Sequence, residues 1–586
     1  MNLQEQKTRL SVLGIVLSVL PVLIILMILR IQVDQAEASR LADYRESHSN
    51  IKPQVAPMRG QIYDRYGNLL AGNETVYEVG IDLPKRDAFD ESPESLAMIL
   101  SSILDDVSYE EAYIAASMDH VKFVSVFSVV KSYVPKEKIE QLDNYLDMMD
   151  GKSKLYSIIY KPMLRRVYPE NALAYNILGF VNKDGYGYGV EKYYNDLLAG
   201  TATNDFYSLN PKYASKRPQI PKGADLVLSI DLKIQQSMQE LIAKSVQESG
   251  SDSGTIVVLD PKTGEIIAMA STPQLDLNRL EDFNNLFPEG SFFNQAVSQP
   301  YEPGSVYKVF TMSAAFDAGA VSDETVYLDT GVINIGGWPI YNWDRAGHGQ
   351  QSMQGCMQLS LNVCLAWVAT QMGTDDFYRY MRAFGIGQLT GIDIADENPG
   401  RLKVPGDGDW GDFDLGANSF GQGVAVTPIQ MASGISALAN DGKKMAPHIV
   451  RSIIIDDFQH DIELRIDNVP VRAETAQWIT QLLARSLETE SSDALVTGYR
   501  IAGKTGTAEI AIPGLGYTTN LTNASFVGWG PVDDPQFLVY VWLEKPTTSP
   551  WGSIVAAPVF REAVEKLVML MDIPPDAIRR KMLTGQ

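Results

Sequence analysis

The chain is organised around the stretch Glu302-Pro303-Gly304-Ser305-Val306-Tyr307-Lys308. Its proline and glycine interrupt the preceding structure, and the apolar run at 306–318 predicts a buried helix. Ser305 is expected at or near the first turn of that helix, where free backbone N–H groups favour negative charge. Lys308 lies on the same helix face, so its amine can approach the serine hydroxyl. Because a serine needs a base and a desolvated lysine can act as one, the stretch predicts an acyl-transfer site.

The motifs that accompany Ser-x-x-Lys in this chemistry are Ser-x-Asn and Lys-Thr-Gly. All three patterns occur twice in the chain, in the same order. The first set consists of Ser128–Lys131, Ser208–Asn210 and Lys262–Gly264. The second set consists of Ser305–Lys308, Ser360–Asn362 and Lys504–Gly506. The structural context of each motif must therefore indicate which of the two sets is catalytic.

The first set has the pattern of structural residues. Ser128 alternates with apolar neighbours in a predicted strand at 121–134, where no helix N-terminus can activate it. Ser208–Asn210 lies in a polar stretch that predicts a loop. Lys262–Gly264 completes a turn that begins with Asp-Pro, which predicts a tight hairpin between two apolar strands. We therefore assign no catalytic role to this set.

The Ser-x-Asn motif of the second set falls between two predicted helices. The stretches 352–359 and 363–371 both have helical patterns, so Ser360 and Asn362 lie at their junction. There Ser360 could relay a proton, and Asn362 could bind substrate or lysine. The structural alternative for this motif is a helix cap.

The Lys-Thr-Gly motif of the second set lies in a predicted strand at 499–508. Glycines within a strand, such as Gly506, often mark close approach by another backbone. An extended peptide could therefore lie along this strand. Lys504 and the hydroxyls of Thr505 and Thr507 could then meet a substrate carboxylate.

Composition indicates an ordinary globular protein. The 586 residues suffice for two or three domains, with 45% hydrophobic and 21% charged residues. A net charge of −23 argues against nucleic acid, or an anionic membrane surface, as the main partner. The acidic loop with Asp407, Asp409, Asp412 and Asp414 misses the calcium-loop spacing, so no metal site is expected.

The two cysteines exclude a disulfide scaffold. On one continuous helix Cys356 and Cys364 would be roughly 12 Å apart, which is too far for a disulfide bond. An interruption of the helix at Ser360 could bring them closer. The redox state of this pair therefore stays open.

The N-terminal segment predicts a membrane anchor. An uncharged apolar run of twenty residues at 10–29 is long enough to span a bilayer. Lys7 and Arg9 precede the run and favour a cytoplasmic tail at 1–9. A cleaved signal peptide is the alternative, but its apolar region is usually shorter, at ~7–15 residues. The catalytic region is accordingly expected on the extracytoplasmic side.

Domain boundaries follow from changes in composition. A connector is expected at 30–52 and a first domain at 53–221. The Pro/Gly-rich stretch 218–223 precedes a predicted strand, so a second domain is expected at 222–575, followed by a tail at 576–586.

With these motifs, the chain resembles the class B penicillin-binding proteins, which are monofunctional peptidoglycan D,D-transpeptidases. The second motif set carries the resemblance, which runs from the anchor to about residue 570. Further matching segments are Arg59–Gly67, Arg166–Pro169, Gly189–Glu191, Gly421–Gly423, Ala439–Gly442 and Ala556–Phe560. Leu361 and Gln295 differ from the residues that the family often has, but neither change removes a catalytic group.

The resemblance implies an α+β fold with an N-terminal anchor helix. An elongated, β-rich pedestal of the dimerisation type would precede a transpeptidase domain with an antiparallel sheet covered by helices. No cofactor or metal is implied. The implied partners are stem peptides, β-lactams, the cytoplasmic membrane and a membrane-embedded glycosyltransferase of the elongation or division machinery.

The resemblance also implies a role for each site residue. Ser305 would attack the bond between the two terminal D-alanines, Lys308 would act as base, and Ser360 would pass a proton to the leaving amine. Asn362 would order the cleft. The substrate carboxylate would bind Lys504 and Thr505 of the Lys504-Thr505-Gly506 strand, and the N–H groups of Ser305 and Thr507 would hold the oxyanion.

Three other functions compete with this interpretation. A D,D-carboxypeptidase or β-lactamase would use the same groups but release the acyl group to water. A non-catalytic scaffold of the wall-synthesis machinery would need no intact motifs. A β-lactam sensor would need further membrane spans, and no second apolar run of that length occurs.

Overall fold

The computed structural model describes residues 57–119, 122, 126–149, 155–182, 185–200, 222–490, 492–512 and 516–584. The predicted anchor at 10–29, the connector at 30–52 and Ser208–Asn210 lie outside these residues. Among the helices of the described ranges, none is long and apolar enough to cross a membrane.

Strands and helices are mixed along the whole described chain. Up to residue 200 the strands are β1 Ile62–Tyr63, β2 Leu69–Asp82, β3 Phe127–Val134 and β4 Ile158–Val167. The helices there are α1 Leu83–Ala88, α2 Pro93–Ile103, α3 Tyr109–Ala116, α4 Lys136–Asp147, α5 Tyr175–Leu178, α6 Gly189–Tyr193 and α7 Asn195–Ala199.

From residue 222 onwards the strands are β5 Asp225–Leu228, β6 Ser253–Leu259, β7 Ile266–Thr272, β8 Val326–Asp329, β9 Val332–Ile335, β10 Trp338–Tyr341, β11 Gly349–Ser352, β12 Arg401–Leu402, β13 Val424–Ala425, β14 Lys444–Met445, β15 Val450–Ile455, β16 Phe458–Asp461, β17 Ile466–Asn468, β18 Ala502–Ile512, β19 Gly516–Gly530 and β20 Phe537–Glu544. The helices are α8 Leu232–Ser249, α9 Phe283–Leu286, α10 Gln295–Ser298, α11 Lys308–Asp317, α12 Met353–Gln358, α13 Asn362–Met372, α14 Thr374–Ala383, α15 Asp412–Asn418, α16 Pro428–Ser436, α17 Ala473–Glu490, α18 Gly552–Val555, α19 Ala557–Leu570 and α20 Asp576–Thr584. The expected α+β class is confirmed.

A five-stranded antiparallel sheet forms the centre of the second region, in the order β18-β19-β20-β6-β7. Every residue of β6 is buried, because helices cover both faces. Ile256 and Val258 pack in the core with α8 and α19, whereas Val257 packs in the core that contains α16. The expected antiparallel sheet covered by helices is therefore present.

A seven-stranded sheet crosses the predicted domain boundary near residue 222. β1 pairs antiparallel with β2 and parallel with β5, and β5 pairs with β15. Beyond β1, Arg65 forms an ion pair with Glu265 at 2.6 Å, and Glu265 precedes β7. The described residues within 58–200 and 222–584 accordingly group into one compact unit.

The described members of the first motif set occupy structural positions, as predicted. Ser128 is buried in β3, where it is paired with Ile81. Lys262 lies in the turn between β6 and β7, and its amine pairs with Asp534. Ser128 lies in the seven-stranded sheet, whereas Lys262 lies in a turn of the five-stranded sheet, and no contact joins the two residues among the interactions described.

Candidate active site

Ser305 lies in a tight turn that leads into a buried helix. Gly304–Tyr307 is a 3₁₀ turn, and α11 begins only at Lys308, slightly later than predicted. Gly304 has φ of +59°, a conformation that glycine adopts without strain, and its N–H donates to Gly421 O at 3.1 Å. A Cβ atom on Gly304 would lie 2.6 Å from Thr507 O. The turn is thus held between the loop at Gly421 and strand β18.

Lys308 is fully buried and reaches the Ser-x-Asn motif. Its Nζ donates to Ser360 O at 2.6 Å and to Asn362 Oδ1 at 2.8 Å, and lies 3.2 Å from Ser360 Oγ. Burial, together with the charge of Lys504, holds the pKa of Lys308 well below its ordinary value. The Ser360 hydroxyl can donate as well as accept, so it can exchange a proton with a neutral amine.

The junction between α12 and α13 positions Ser360 and Asn362. Ser360 has φ of +54°, which ends the first helix before the second begins. The Asn362 side chain donates from Nδ2 to Tyr341 O at 3.2 Å, while its Oδ1 accepts from Lys308. The predicted junction is confirmed, and both side chains of the motif contact the lysine.

Cys356 and Cys364 form a disulfide bond, with Cα atoms 6.0 Å apart. The break at Ser360 brings them together, since a continuous helix would hold them farther apart. The redox state of this cysteine pair, which the sequence left open, is therefore the oxidised one. The bond closes a loop that contains the whole Ser-x-Asn motif.

Strand β18 lies against the turn that carries Ser305, and it carries Lys504, Thr505, Gly506 and Thr507. Lys504 is buried, and its Nζ lies 3.2 Å from Thr505 Oγ1. A Cβ atom on Gly506 would lie 2.3 Å from Ser525 Oγ and 2.9 Å from Val306 Cγ1, so only glycine allows this approach. The strand itself begins at Ala502, three residues after the predicted start.

The structure therefore brings the predicted site residues together. Lys308, Ser360 and Asn362 are in direct contact. The turn that carries Ser305 packs against the strand that carries Gly506 and Thr507.

Glu302, Tyr517, Trp343 and Trp551 adjoin this cleft and were not selected from the sequence. Glu302 Oε1 accepts from Gly423 N–H at 3.1 Å and from the Tyr517 hydroxyl at 3.0 Å. Burial raises the pKa of Glu302, and these hydrogen bonds oppose the rise. The position of Glu302 directly before the Pro-Gly-Ser stretch could have indicated from the sequence that it adjoins the site. Tyr517 and the two tryptophans lie far from the motifs along the chain and have no such signal.

Two carboxylate groups between the Ser-x-Asn and Lys-Thr-Gly motifs have structural partners. Glu397, which a β-lactamase interpretation would need as a base, accepts from Thr390 N–H at 2.7 Å and from Gly391 N–H at 3.1 Å. In the acidic loop, Asp414 pairs with Lys403 at 2.6 Å. Among the described residues, no group of three or more histidine, cysteine or acidic side chains is placed to hold a metal ion.

Two family models match the chain. The penicillin-binding protein transpeptidase domain matches residues 254–565, which include all three motifs of the second set. The penicillin-binding protein dimerisation domain matches residues 54–217.

Individual proteins agree with the family models. Stage V sporulation protein D of Bacillus subtilis is 30% identical over 520 residues, covering 86% of this chain and 77% of that protein. Peptidoglycan D,D-transpeptidase MrdA of Haemophilus influenzae is 27% identical, covering 96% and 92%. The crystal structure of penicillin binding protein 3 from Mycobacterium tuberculosis, complexed with aztreonam, superimposes with a TM-score of 0.66 at 26% identity, covering 89% of this chain and 97% of that one. The implied resemblance is confirmed, and this chain belongs to the penicillin-binding protein transpeptidase family.

Proposed function

We propose that this chain is a peptidoglycan D,D-transpeptidase that cross-links stem peptides through an acyl-Ser305 intermediate. The observation that carries the proposal is the buried Lys308 amine in contact with Ser360 and Asn362. Burial favours the neutral amine, which is the form that can accept a proton from Ser305.

In the first half of the reaction, Ser305 Oγ attacks the carbonyl carbon of the penultimate D-alanine while its proton passes to Lys308. The N–H groups of Ser305 and Thr507 hold the oxyanion, and loss of one such donor typically costs ~100–1000-fold in rate. The C–N bond then breaks, and Ser360 passes a proton to the leaving D-alanine amine. Lys504 and Thr505 hold the terminal carboxylate of the substrate.

In the second half, an amine of a neighbouring stem peptide attacks the acyl-Ser305 ester. A proton leaves that amine through Lys308, the C–O bond to Ser305 breaks, and the serine is restored. Water competes poorly because, unlike the acceptor amine, it is not positioned by the binding of a peptide and has no dedicated base of its own in Glu397. General base catalysis is worth about 100–10,000-fold, and the carboxylate of Glu397 is held by Thr390 and Gly391.

The location and the partners extend the proposal beyond the described residues. The apolar run at 10–29 supports a single-pass anchor in the cytoplasmic membrane, with the N-terminus in the cytoplasm and the cleft outside. Residues 54–217 match a dimerisation domain, so polymerisation of glycan strands falls to a membrane-embedded glycosyltransferase. β-Lactams would acylate Ser305 in place of the stem peptide.

Mass spectrometry after incubation with penicillin tests the proposal. The protein should gain one penicilloyl group, Ser305→Ala should gain none, and Ser128→Ala should be labelled like the wild type. After removal of free drug the adduct should persist. Rapid return to the free mass would identify a β-lactamase instead, and labelling of Ser305→Ala would overturn the assignment of the nucleophile.

A further inference from the structure

The carboxylate of Glu302 holds two segments that are distant along the chain. Its Oε1 accepts from Gly423 N–H at 3.1 Å and from the Tyr517 hydroxyl at 3.0 Å, and its Oε2 lies 3.0 Å from the same hydroxyl. Glu302 is partly buried and lies three residues before Ser305. One charged group therefore links the segment before the nucleophile to the loop at Gly423 and to strand β19.

The contact with Gly423 extends a set of backbone contacts to the segment 421–426. Tyr301 and Gly304 donate their N–H groups to carbonyl oxygens of that segment, at 2.9 Å and 3.1 Å. The Glu302 side chain adds a contact between these two points. The residues that lead into the nucleophile turn are thus held along this segment by backbone and side chain together.

The contact with Tyr517 lies near the end of the β18–β19 hairpin. Tyr517 is paired with Ala511, and the register of the two strands shifts just before this pair, so the ladder is irregular there. Earlier in β18, a Cβ atom on Gly304 would lie 2.6 Å from Thr507 O. The hairpin therefore meets the nucleophile segment at both of these points, and Glu302 supplies the contact at the irregular end.

The position of β18 against the turn matters for acylation. In the proposed reaction the N–H groups of Ser305 and Thr507 hold the oxyanion, and such donors act only when they lie at hydrogen-bond distance from it. A misplacement of about 1 Å costs on the order of 100-fold in rate. Hydrogen bonds to an ionised carboxylate are stronger than those between neutral groups, so Glu302 is well suited to hold the hairpin in place.

We propose that Glu302 is a positioning residue for acylation. Its carboxylate holds the end of the β18–β19 hairpin and the loop at Gly423 against the segment that carries Ser305, and so keeps the Thr507 N–H at the oxyanion. The inference rests on the proposed transpeptidase function. Glu302 acts through Thr507 and Ser305 and takes no part in proton transfer.

The rates at which penicillin acylates four variants test the inference. Glu302→Ala removes both contacts and should lower the rate by about 10–100-fold. Tyr517→Phe removes only the hydroxyl and should lower it by about threefold to tenfold. Glu302→Gln keeps an acceptor oxygen and should lie between Glu302→Ala and the wild type. The double variant Glu302→Ala/Tyr517→Phe should be no slower than Glu302→Ala, because the hydroxyl has then already lost its partner.

The infrared band of the acyl carbonyl separates positioning from a general loss of stability. Penicillin with an isotopic label at the β-lactam carbonyl carbon forms a labelled ester with Ser305. Hydrogen bonds from the oxyanion donors lower the stretching frequency of this carbonyl group. In Glu302→Ala and Tyr517→Phe the band should therefore lie at higher frequency than in the wild type. A lower melting temperature alone would not move it.

Tyr160→Phe is the matched control. The Tyr160 hydroxyl also donates to a carboxylate, Asp143 Oδ1, at 2.5 Å, but this pair joins β4 to α4. The variant should keep the wild-type rate and band.

A wild-type rate or band in Glu302→Ala, or additive losses in the double variant, would overturn the inference. If Glu302→Ala does not fold, Tyr517→Phe decides by the same two measurements. A wild type that penicillin does not acylate would instead reject the acyl-Ser305 chemistry on which the inference rests.

Discussion

Lys308 contacts three oxygen atoms, and none of them carries a formal charge. They belong to a backbone carbonyl, a hydroxyl and an amide. The side chain is fully buried, and the nearby charge of Lys504 is positive. Burial and like charge both disfavour the ammonium form, and no carboxylate in this set of contacts opposes them. At the scale of single residues, the environment of one lysine therefore favours the neutral amine, which is the form that acts as a base.

The pH dependence of acylation should reveal this base. The pKa of Lys308 lies well below its ordinary value of 10.5, chiefly because of burial and secondarily because of Lys504. The penicillin acylation rate should rise with pH as Lys308 loses its proton, with a midpoint well below 10.5. Lys504→Gln removes the positive charge and should move the midpoint to higher pH, whatever it does to the maximal rate.

Lys444→Gln is the control for this titration. Lys444 is also buried, but its amine pairs with Asp467 at 2.8 Å and does not contact the cleft motifs. This variant should keep the wild-type midpoint. A midpoint that stays in place or falls in Lys504→Gln would refute the electrostatic coupling between the two lysines.

At the scale of elements, the site depends on a strand that has a glycine where it meets the nucleophile turn. It also depends on an interruption between two helices. Strand β18 approaches the nucleophile turn because Gly506 leaves room for Val306 and Ser525. The interruption between α12 and α13 presents Ser360 and its carbonyl to Lys308. Each feature places a catalytic group through backbone geometry.

Gly506→Ala should displace the turn from the strand. Its Cβ would lie 2.9 Å from Val306 Cγ1, next to Ser305, and 2.3 Å from Ser525 Oγ. A displacement of about 1 Å costs on the order of 100-fold in rate, and stopped-flow measurement of penicillin acylation checks this. Gly408→Ala is the control, since its Cβ would meet no atom within 4 Å. An acylation rate equal to that of the wild type in Gly506→Ala would show that the close approach of strand and turn is dispensable.

The disulfide bond should stabilise the junction. It closes a short loop from Cys356 to Cys364, and loop-closure entropy assigns it about 2–3 kcal/mol. The variant with both cysteines changed to serine should melt at a lower temperature and acylate more slowly, because Ser360 would be held less firmly against Lys308. Reductant should lower the melting temperature of the wild type and leave that of the variant alone. Equal melting temperatures would contradict a stabilising role.

At the scale of the whole molecule, one sheet joins the two predicted domains. β1 and β5 pair in parallel across the boundary near residue 222. In the first region, Glu191 is buried and pairs with Arg59 and Arg166, which come from two other segments of the family resemblance. These three segments of the pedestal region therefore have a structural role, because their ion pairs hold together the region next to this sheet.

Membrane topology can be tested on the whole chain in intact cells. Met148→Cys introduces a thiol at a position that is 83% exposed, while the native cysteines are bonded to each other. A membrane-impermeant maleimide should label it before lysis if residues after the anchor lie outside the cytoplasm. Thr8→Cys, in the predicted cytoplasmic tail, should be labelled only after lysis. The reverse pattern would overturn the proposed orientation.

The local sequence determined much of this protein. Alternating apolar residues placed Ser128 in a strand, and Asp-Pro with Gly placed Lys262 in a hairpin turn, because these preferences act over a few neighbouring residues. The same kind of information predicted the helix after Ser305 and the junction at Ser360. It also identified the motif set and hence the family, which the family models confirm.

Tertiary structure decided what depends on residues distant along the chain. The lowered pKa of Lys308 requires burial in a finished core and the approach of Lys504. The Cys356–Cys364 bond follows from a left-handed residue that no periodicity predicts. The contact between Trp343 and Trp551 forms only when the two walls of the cleft assemble. Local preferences choose strands, turns and helices, whereas desolvation and long-range contact set the chemistry of the groups that those elements bring together.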